Sequence, residues 1–365
     1  MSSQTDSRSP TVGMRFARRA DDLTVEACRL DARLSASGLA EGWQNRCDIN
    51  EAVMAIQMDG ALVDLVDLVL HDANMNTRAP THELARAAAA LRSRRLALQR
   101  PAPWPLSHDG VASLAGGLAP KRSADEKPLP ETAAADDIED EVDPFAGQFA
   151  EIDALIERTG RVLRGEAVST RDRASLVYQD DEGEDEAEDQ WFERLADYER
   201  LPAVQAAAYA WQSWRELRLH DRKPWLGLII AGAVLRARGV TTWMLPLAAG
   251  FRQAGYRGRQ AISREQAVEM FCEVLGNAIR VGGADLSTLI LQRELMAKRL
   301  EGRRKGSKLS DLVDLFLSRP VVTMPMAGMH LKVTPHAVKC MFEELGGSLP
   351  RELTQRSRYR AWGIL

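Results

Sequence analysis

Apolar positions recur at spacings of three and four along most of the chain, the period of a helix rather than a strand. Ile49, Val53 and Ile56 repeat in this way, and Leu62, Leu65, Val66 and Val69 do so one segment later, with Gly60 marking a break between them. Pro80-Thr81 opens a further helix through Leu84, Ala87, Leu91 and Leu96. Its basic side (Arg86, Arg92, Arg94, Arg95, Arg100) reads as a solvated face. Residues 13–100 are expected to form an N-terminal helical domain behind a disordered tail, 1–12.

The prolines crowded into 101–130 predict a loop, and 101–148 reads as a Pro-rich and then acidic linker. A short helix is expected over 149–162, with Ile152, Leu155 and Ile156 on one side. Of the ten residues 180–189, eight are acidic, which predicts a solvated loop. The run lacks the glycine and glutamate placement of a calcium loop. Helical periodicity returns at Trp191, so 149–304 is expected to be a second helical domain carrying that acidic loop. Within it Ser263 and Gln266 fit a capping box, Gly282-Gly283 predict a helix end, and Asp285 starts a helix with Leu286, Leu289, Leu291 and Leu295. The longest apolar run, 225–235, falls well short of the ~20 residues that span a bilayer, and predicts a buried helix and no membrane contact. No segment before residue 350 alternates with period two for long enough to demand a strand.

The last sixty residues carry the most specific pattern. Ser310 is placed to cap a helix with Leu312, Val313, Leu315, Phe316 and Leu317, ending at Arg319-Pro320. Thr323 is placed to cap a short second helix, 324–330. A tight Leu331-Lys332-Val333 connection leads to Thr334-Pro335, an N-cap followed by proline at the first helical position. The third helix, 335–345, has one apolar stripe of Ala337, Val338, Met341, Phe342 and Leu345, and His336, Lys339 and Cys340 point elsewhere. This layout predicts a helix–turn–helix. Residues 351–354 and 359–364 read as a β-hairpin with Arg356 and Arg358 at its tip and Arg351 and Arg360 beside it, the wing of such a domain. The expected partner is double-stranded DNA. His336, Lys339 and Cys340 would read bases, and Thr334, Arg351, Arg356, Arg358 and Arg360 would hold the backbone.

Composition sharpens this picture by its distribution. The 365 residues carry a net charge of only −4, which by itself does not suggest a nucleic-acid binder. Residues 121–200, however, hold 25 Asp/Glu against 10 Lys/Arg, and residues 290–365 hold 14 Lys/Arg against 7 Asp/Glu. Apolar residues make up 45%, charged 27% and aromatic only 6%, which favours helices over an aromatic-rich β-sandwich. Cys28, Cys47, Cys272 and Cys340 are not within metal-ligand spacing of one another, no histidine cluster accompanies them, and isolated thiols suit a reducing cytoplasm. The N-terminus shows no apolar signal segment. No GxSxG, Walker A, HExxH or dinucleotide fingerprint is present. The tryptophans, among them Trp211, Trp214 and Trp225, read as packing residues.

Two segments carry a family resemblance. Residues 51–60, with Ala55, Asp59 and Gly60, followed by the apolar helix from Leu62 to Asp72, resemble the N-terminal helices of Fic-domain proteins. There a Ser/Thr-x-x-x-Glu-Gly motif is inhibitory. The C-terminal Pro320-Val-Val-Thr323, Val333-Thr-Pro-His-Ala337 and Glu352-Leu-Thr-Gln-Arg356 resemble the winged helix–turn–helix that follows many Fic domains. The chain is more similar still to a group of rhizobial, often plasmid-borne proteins of unknown function, through Arg222-Lys-Pro224-Trp225-Leu-Gly227 and Arg358-Tyr-Arg-Ala-Trp-Gly-Ile364. The Fic resemblance implies nucleotidyl transfer through a His-Pro-Phe-x-x-Gly-Asn-Gly-Arg loop. At the nearest match Lys223 replaces the histidine and no Gly-Asn-Gly-Arg follows, so the base and the phosphate cradle are missing. The expectation is a mostly α protein: a Fic-like scaffold without catalytic residues, metal or cofactor, closed by a winged helix–turn–helix. Regulation of transcription or of a plasmid function follows, with a homodimer in view. A protein-interaction adaptor on the same inert scaffold is the alternative.

Overall fold

A computed structural model of the chain describes residues 10–75, 79–116, 181–255, 263–298, 300, 308–346, 350–354 and 360–364. The protein is mostly helical. Helix α1 spans Pro10–Ser37, α2 Ala40–Met58, α3 Leu65–Asp72, α4 His82–Gln99 and α5 His108–Gly116. After residue 180 come α6 Asp181–Asp197, α7 Ala203–Glu216, α8 Trp225–Ala237, α9 Leu247–Gln253 and α10 Arg264–Lys298. The C-terminal part adds α11 Leu309–Ser318, β1 Val322–Thr323, α12 Met324–Leu331, α13 Pro335–Leu345, β2 Arg351–Glu352 and β3 Ala361–Gly363. The chain divides into two compact units, residues 1–119 with 187–365 and residues 120–186. Of the second, only 181–186, at the start of α6, is described.

Local chemistry accounts for several of these boundaries. Thr81 accepts a hydrogen bond from the Leu84 amide and starts α4, and Gly60 (φ +87°) breaks the chain between α2 and α3. Ser263 and Gln266 form the reciprocal capping box, amide to Gln266 Oε1 at 2.9 Å and Gln266 amide to Ser263 Oγ at 3.3 Å. The apolar run becomes α8, buried from Trp225 to Leu235. Trp211 and Trp214 are also core residues, packed across from α8.

Several expectations about the elements are corrected. Pro10–Val12, assigned to the tail, lies in α1. Part of the proline-rich loop, after a turn at Trp104–Leu106, is α5, anchored by Val111 and Leu114 in the core. Within the acidic run, 181–189 is the first half of α6. Trp191, fully buried, fixes the helix to the core. Gly282-Gly283 end nothing, because α10 runs straight through them. Gly282 is there for contact: an added Cβ would lie 2.9 Å from the Trp43 ring, whose indole N–H donates to the Gly282 carbonyl at 2.9 Å. Finally, β1 is a strand before residue 350, two residues long and visible only through its pairing with β3. The 149–162 helix and most of the acidic linker lie outside the described residues.

Helix α10 is central. Its Ala267, Phe271, Cys272, Leu275 and Ala278 are buried against α1, α7 and α9, although by length and composition alone it could cross a membrane. Leu286 and Leu289 are buried as the spacing suggests, whereas Leu291 and Leu295 face outward.

The basic side of α4 is solvated except at Arg94: Arg92 and Arg100 are exposed and Arg86 and Arg95 partly so. Arg95 pairs with Asp72 at 2.6 Å and Arg86 with Asp59 at 2.5 Å, but Arg94 is only 4% exposed. Its Nε donates to Asp48 at 2.6 Å, and its other nitrogens reach the carbonyls of Met244 (2.6 Å) and Leu245 (3.1 Å) and lie 3.7 Å from Glu51. Glu51 in turn accepts from the amides of Ala248 (2.8 Å) and Ala249 (2.9 Å), capping the start of α9. One guanidinium therefore faces two buried carboxylates. Burial raises the Glu51 carboxyl above its ordinary value.

Candidate nucleic-acid interface

The C-terminal helices are set by caps three residues long. Thr323 Oγ1 accepts from the Met326 amide (3.2 Å) to start α12, and Thr334 Oγ1 accepts from the Ala337 amide (3.3 Å) to start α13, with Pro335 in its first turn. Between them the chain reverses at Lys332, held left-handed (φ 54°), while the Val333 amide returns to the Gly328 carbonyl at 3.1 Å. Ser310, expected to be a cap, instead sits in the first turn of α11, and Lys308 precedes that helix.

Packing then decides what α13 shows to solvent. Val338, Met341, Phe342 and Leu345 are buried. Phe342 lies 5.5 Å from the Phe316 ring of α11 and meets Trp362 of β3 edge-on at 4.8 Å. The opposite face therefore points outward, and His336, Lys339 and Cys340 are all exposed on it, as is Thr334 at its start. Lys339 is 3.9 Å from Glu343, with both side chains about two-thirds exposed. Such a contact is worth at most ~1 kcal/mol, so Lys339 remains available to a partner.

The three strands form one antiparallel sheet in the order β1-β3-β2. Arg351 opposes Gly363 and Glu352 opposes Trp362, which gives the expected hairpin, continued by the Leu353 amide to the Ala361 carbonyl at 2.8 Å. Arg351 is exposed. Arg360 is engaged within the hairpin: its Nε donates to Glu352 Oε1 at 2.8 Å, a second nitrogen donates to Oε2, and the guanidinium lies 4.9 Å above the Trp362 ring. Those hydrogen bonds hold the Glu352 carboxyl below its ordinary value. Arg356 and Arg358 lie outside the described residues.

The sequence reading missed how this end of the chain is fixed. Helix α2 approaches the last turn of α11 at Gly42, where an added Cβ would stand 2.0 Å from the Leu317 carbonyl oxygen. One turn along, Asn45 donates to the Ser318 carbonyl at 3.1 Å. Arg46, 8% exposed, donates to the carbonyls of Phe316, Leu317 and Ile364 at 2.7 Å and of Arg319 at 2.8 Å. The unpaired carbonyls at the end of α11 are thus capped from another helix, by a cation at the negative end of the helix dipole. Arg46 has no carboxylate partner among the described residues, and burial lowers its pKa to about 10. A signal for this existed: Gln44, Asp48 and Glu51 recur at i, i+4 and i+7 on one side of α2 and Arg46 lies on the opposite side, so polar residues interrupt the apolar positions on two faces, as happens when a helix is buried on several sides.

The segment matched to the nucleotidyl-transfer loop is also a packing element. Pro224 precedes α8, Trp225 and Leu226 are buried, and Gly227 faces the Trp214 ring, 3.1 Å from where its Cβ would be.

Residues 309–365 match the family described as HTH DNA binding domain, and residues 176–301 match the family described as Protein of unknown function (DUF1612). The chain is 32% identical over 375 residues to the protein of Sinorhizobium fredii (strain NBRC 101917 / NGR234) named Uncharacterized protein y4cF. The similarity covers 95% of this chain and 96% of that one.

Proposed function

The chain belongs to the family of the Sinorhizobium fredii protein y4cF, and from that premise we propose that it binds double-stranded DNA sequence-specifically, through a winged helix–turn–helix, to regulate transcription or a plasmid function. The observation that carries the reading is the outward face of α13. His336, Lys339 and Cys340 stand exposed on a helix whose other side is fully committed to the core, so nothing in its packing has to change for it to enter a major groove ~12 Å wide. Thr334 and Arg351 supply phosphate contacts that set the register. Arg360, held by Glu352, shapes the wing, and Arg356 and Arg358, between β2 and β3 in the sequence, add two cations to this segment. The helical body, on this reading a Fic-like frame without an enzymatic role or cofactor, fixes the angle of the DNA-binding end. The protein acts in the cytoplasm, as a homodimer on two half-sites about one helical turn apart.

Selection of bound duplexes from random DNA with the full chain tests this. A defined motif is expected. Lys339→Ala should change the preferred bases. Arg351→Ala should weaken binding evenly across sequences and lower the salt slope by about 1. Failure of the full chain to retain duplex DNA at low salt ends the reading.

A further inference from the structure

We propose that His336 and Cys340 form a two-ligand site for a divalent transition metal of the zinc class, on the outward face of α13. The two residues are one helical turn apart, and both side chains are exposed. Cys340 Sγ stands 3.7 Å from His336 Nε2. A tetrahedral ion bound at about 2.3 Å to sulfur and about 2.0 Å to nitrogen holds those two atoms about 3.5 Å apart. The pair therefore has the spacing of a chelate before any ion arrives. The helix that carries it is pinned by the Thr334 cap and by Val338, Met341 and Phe342, so no loop has to be ordered for binding. The neighbouring cation, Lys339, is turned to Glu343 at 3.9 Å, which lessens its repulsion of an incoming ion.

Binding forms a metal–sulfur bond and a metal–nitrogen bond, and the Cys340 thiol proton passes to solvent. His336 ligates as the neutral imidazole through Nε2. Water fills the two remaining positions of a tetrahedral ion. The consequence for DNA rests on the function proposed above: the metal occupies the side chains assigned to base edges, so metal and duplex compete for one face of one helix. Counting the cysteines only against each other hides this site, because its second ligand is a histidine four residues earlier.

Cobalt(II) titration of the full chain tests the site, read by thiolate-to-cobalt charge-transfer absorption. The band is expected with the wild type. It should vanish in Cys340→Ser, fall sharply in His336→Ala, and persist in Cys28→Ser, which removes the other exposed thiol. Both site residues are exposed, so the variants should keep the wild-type far-ultraviolet circular dichroism. Absence of the band, or its survival in Cys340→Ser, overturns the proposal. Zinc at saturation is then expected to weaken DNA binding about tenfold in the wild type, the weight of one good base contact, and to leave Cys340→Ser unchanged. Equal DNA affinity with and without zinc overturns the competition and leaves the site. A chain that shows the band but binds no DNA leaves the site standing and ends the DNA-binding reading.

Discussion

Among the described residues two arginines are buried, and their surroundings differ in kind. Arg94, in the middle of the helical body, faces the carboxylates of Asp48 and Glu51 as well as two carbonyls. Arg46, at the junction with the DNA-binding end, faces only backbone carbonyls, at the end of α11, on Ile364 and on Gly42 of its own helix. The first is a charge answered by charges, so losing it strands two anions away from water. The second is a charge answered by a helix dipole, so losing it strands dipoles at the edge of an exposed chain segment. Both lean on the same helix, since Asp48, Glu51 and Arg46 all belong to α2. One helix therefore holds the core of the body and also sets the seat of the helix–turn–helix.

This contrast breaks most severely at Arg94. Arg94→Met keeps the stem volume and removes the cation, leaving Asp48 and Glu51 buried and unpaired. The expected loss is ~3–5 kcal/mol, read as a lower midpoint in chemical denaturation. Arg46→Met should cost less, about 2–3 kcal/mol, because the carbonyl of exposed Arg319 can recruit water whereas the carboxylates cannot. It should also differ in character. Limited proteolysis is expected to release the C-terminal segment of Arg46→Met at protease levels that leave the wild type intact, while Arg94→Met is cut throughout. If the two variants lose the same stability and show the same cleavage pattern, the two arginines have one role and not two.

The pattern of what the sequence disclosed follows the range of the interactions. Thr323 and Thr334 accept from amides three residues away, Pro335 presets the backbone at a helix start, and the apolar stripe of α13 repeats within three turns, so the caps and the outward face of the candidate site were readable from the chain. Gly282 was misread because its reason is Trp43, far away in sequence. Arg94 was misread for the same cause: basic neighbours on α4 do find surface carboxylates, and only the approach of α2 and of residues 244–245 separates Arg94 from them. Residues 181–189 looked like a loop because their composition is polar, yet Trp191 and Phe192 a turn later give the segment somewhere to anchor. Arg360 was assigned to DNA because its pairing with Glu352 depends on the hairpin register, which composition does not reveal.

The smallest expected effect makes the finest distinction between the two arginines. Arg94 carries one positive charge against two carboxylates, and the excess falls on Glu51, whose carboxyl burial holds above the ordinary value of 4.5. A raised carboxyl pKa in the folded state means that the folded chain takes up this proton before the unfolded chain does as pH falls. The stability contributed by that proton is complete below about 4.5 and is lost as pH rises through the folded value. Glu51→Gln removes the titration. It keeps one acceptor for the amides of Ala248 and Ala249 and turns an N–H group toward the other, a cost of roughly 1–2 kcal/mol near neutral pH. Denaturation midpoints taken between pH 7 and 4.5 should therefore show the wild type gaining on Glu51→Gln as pH falls. Arg46→Met should track the wild-type slope throughout, because none of the groups that Arg46 bonds titrates in that range. A flat difference between wild type and Glu51→Gln would mean that Arg94 balances both carboxylates, and the asymmetry between the two buried cations would then lie only in their geometry.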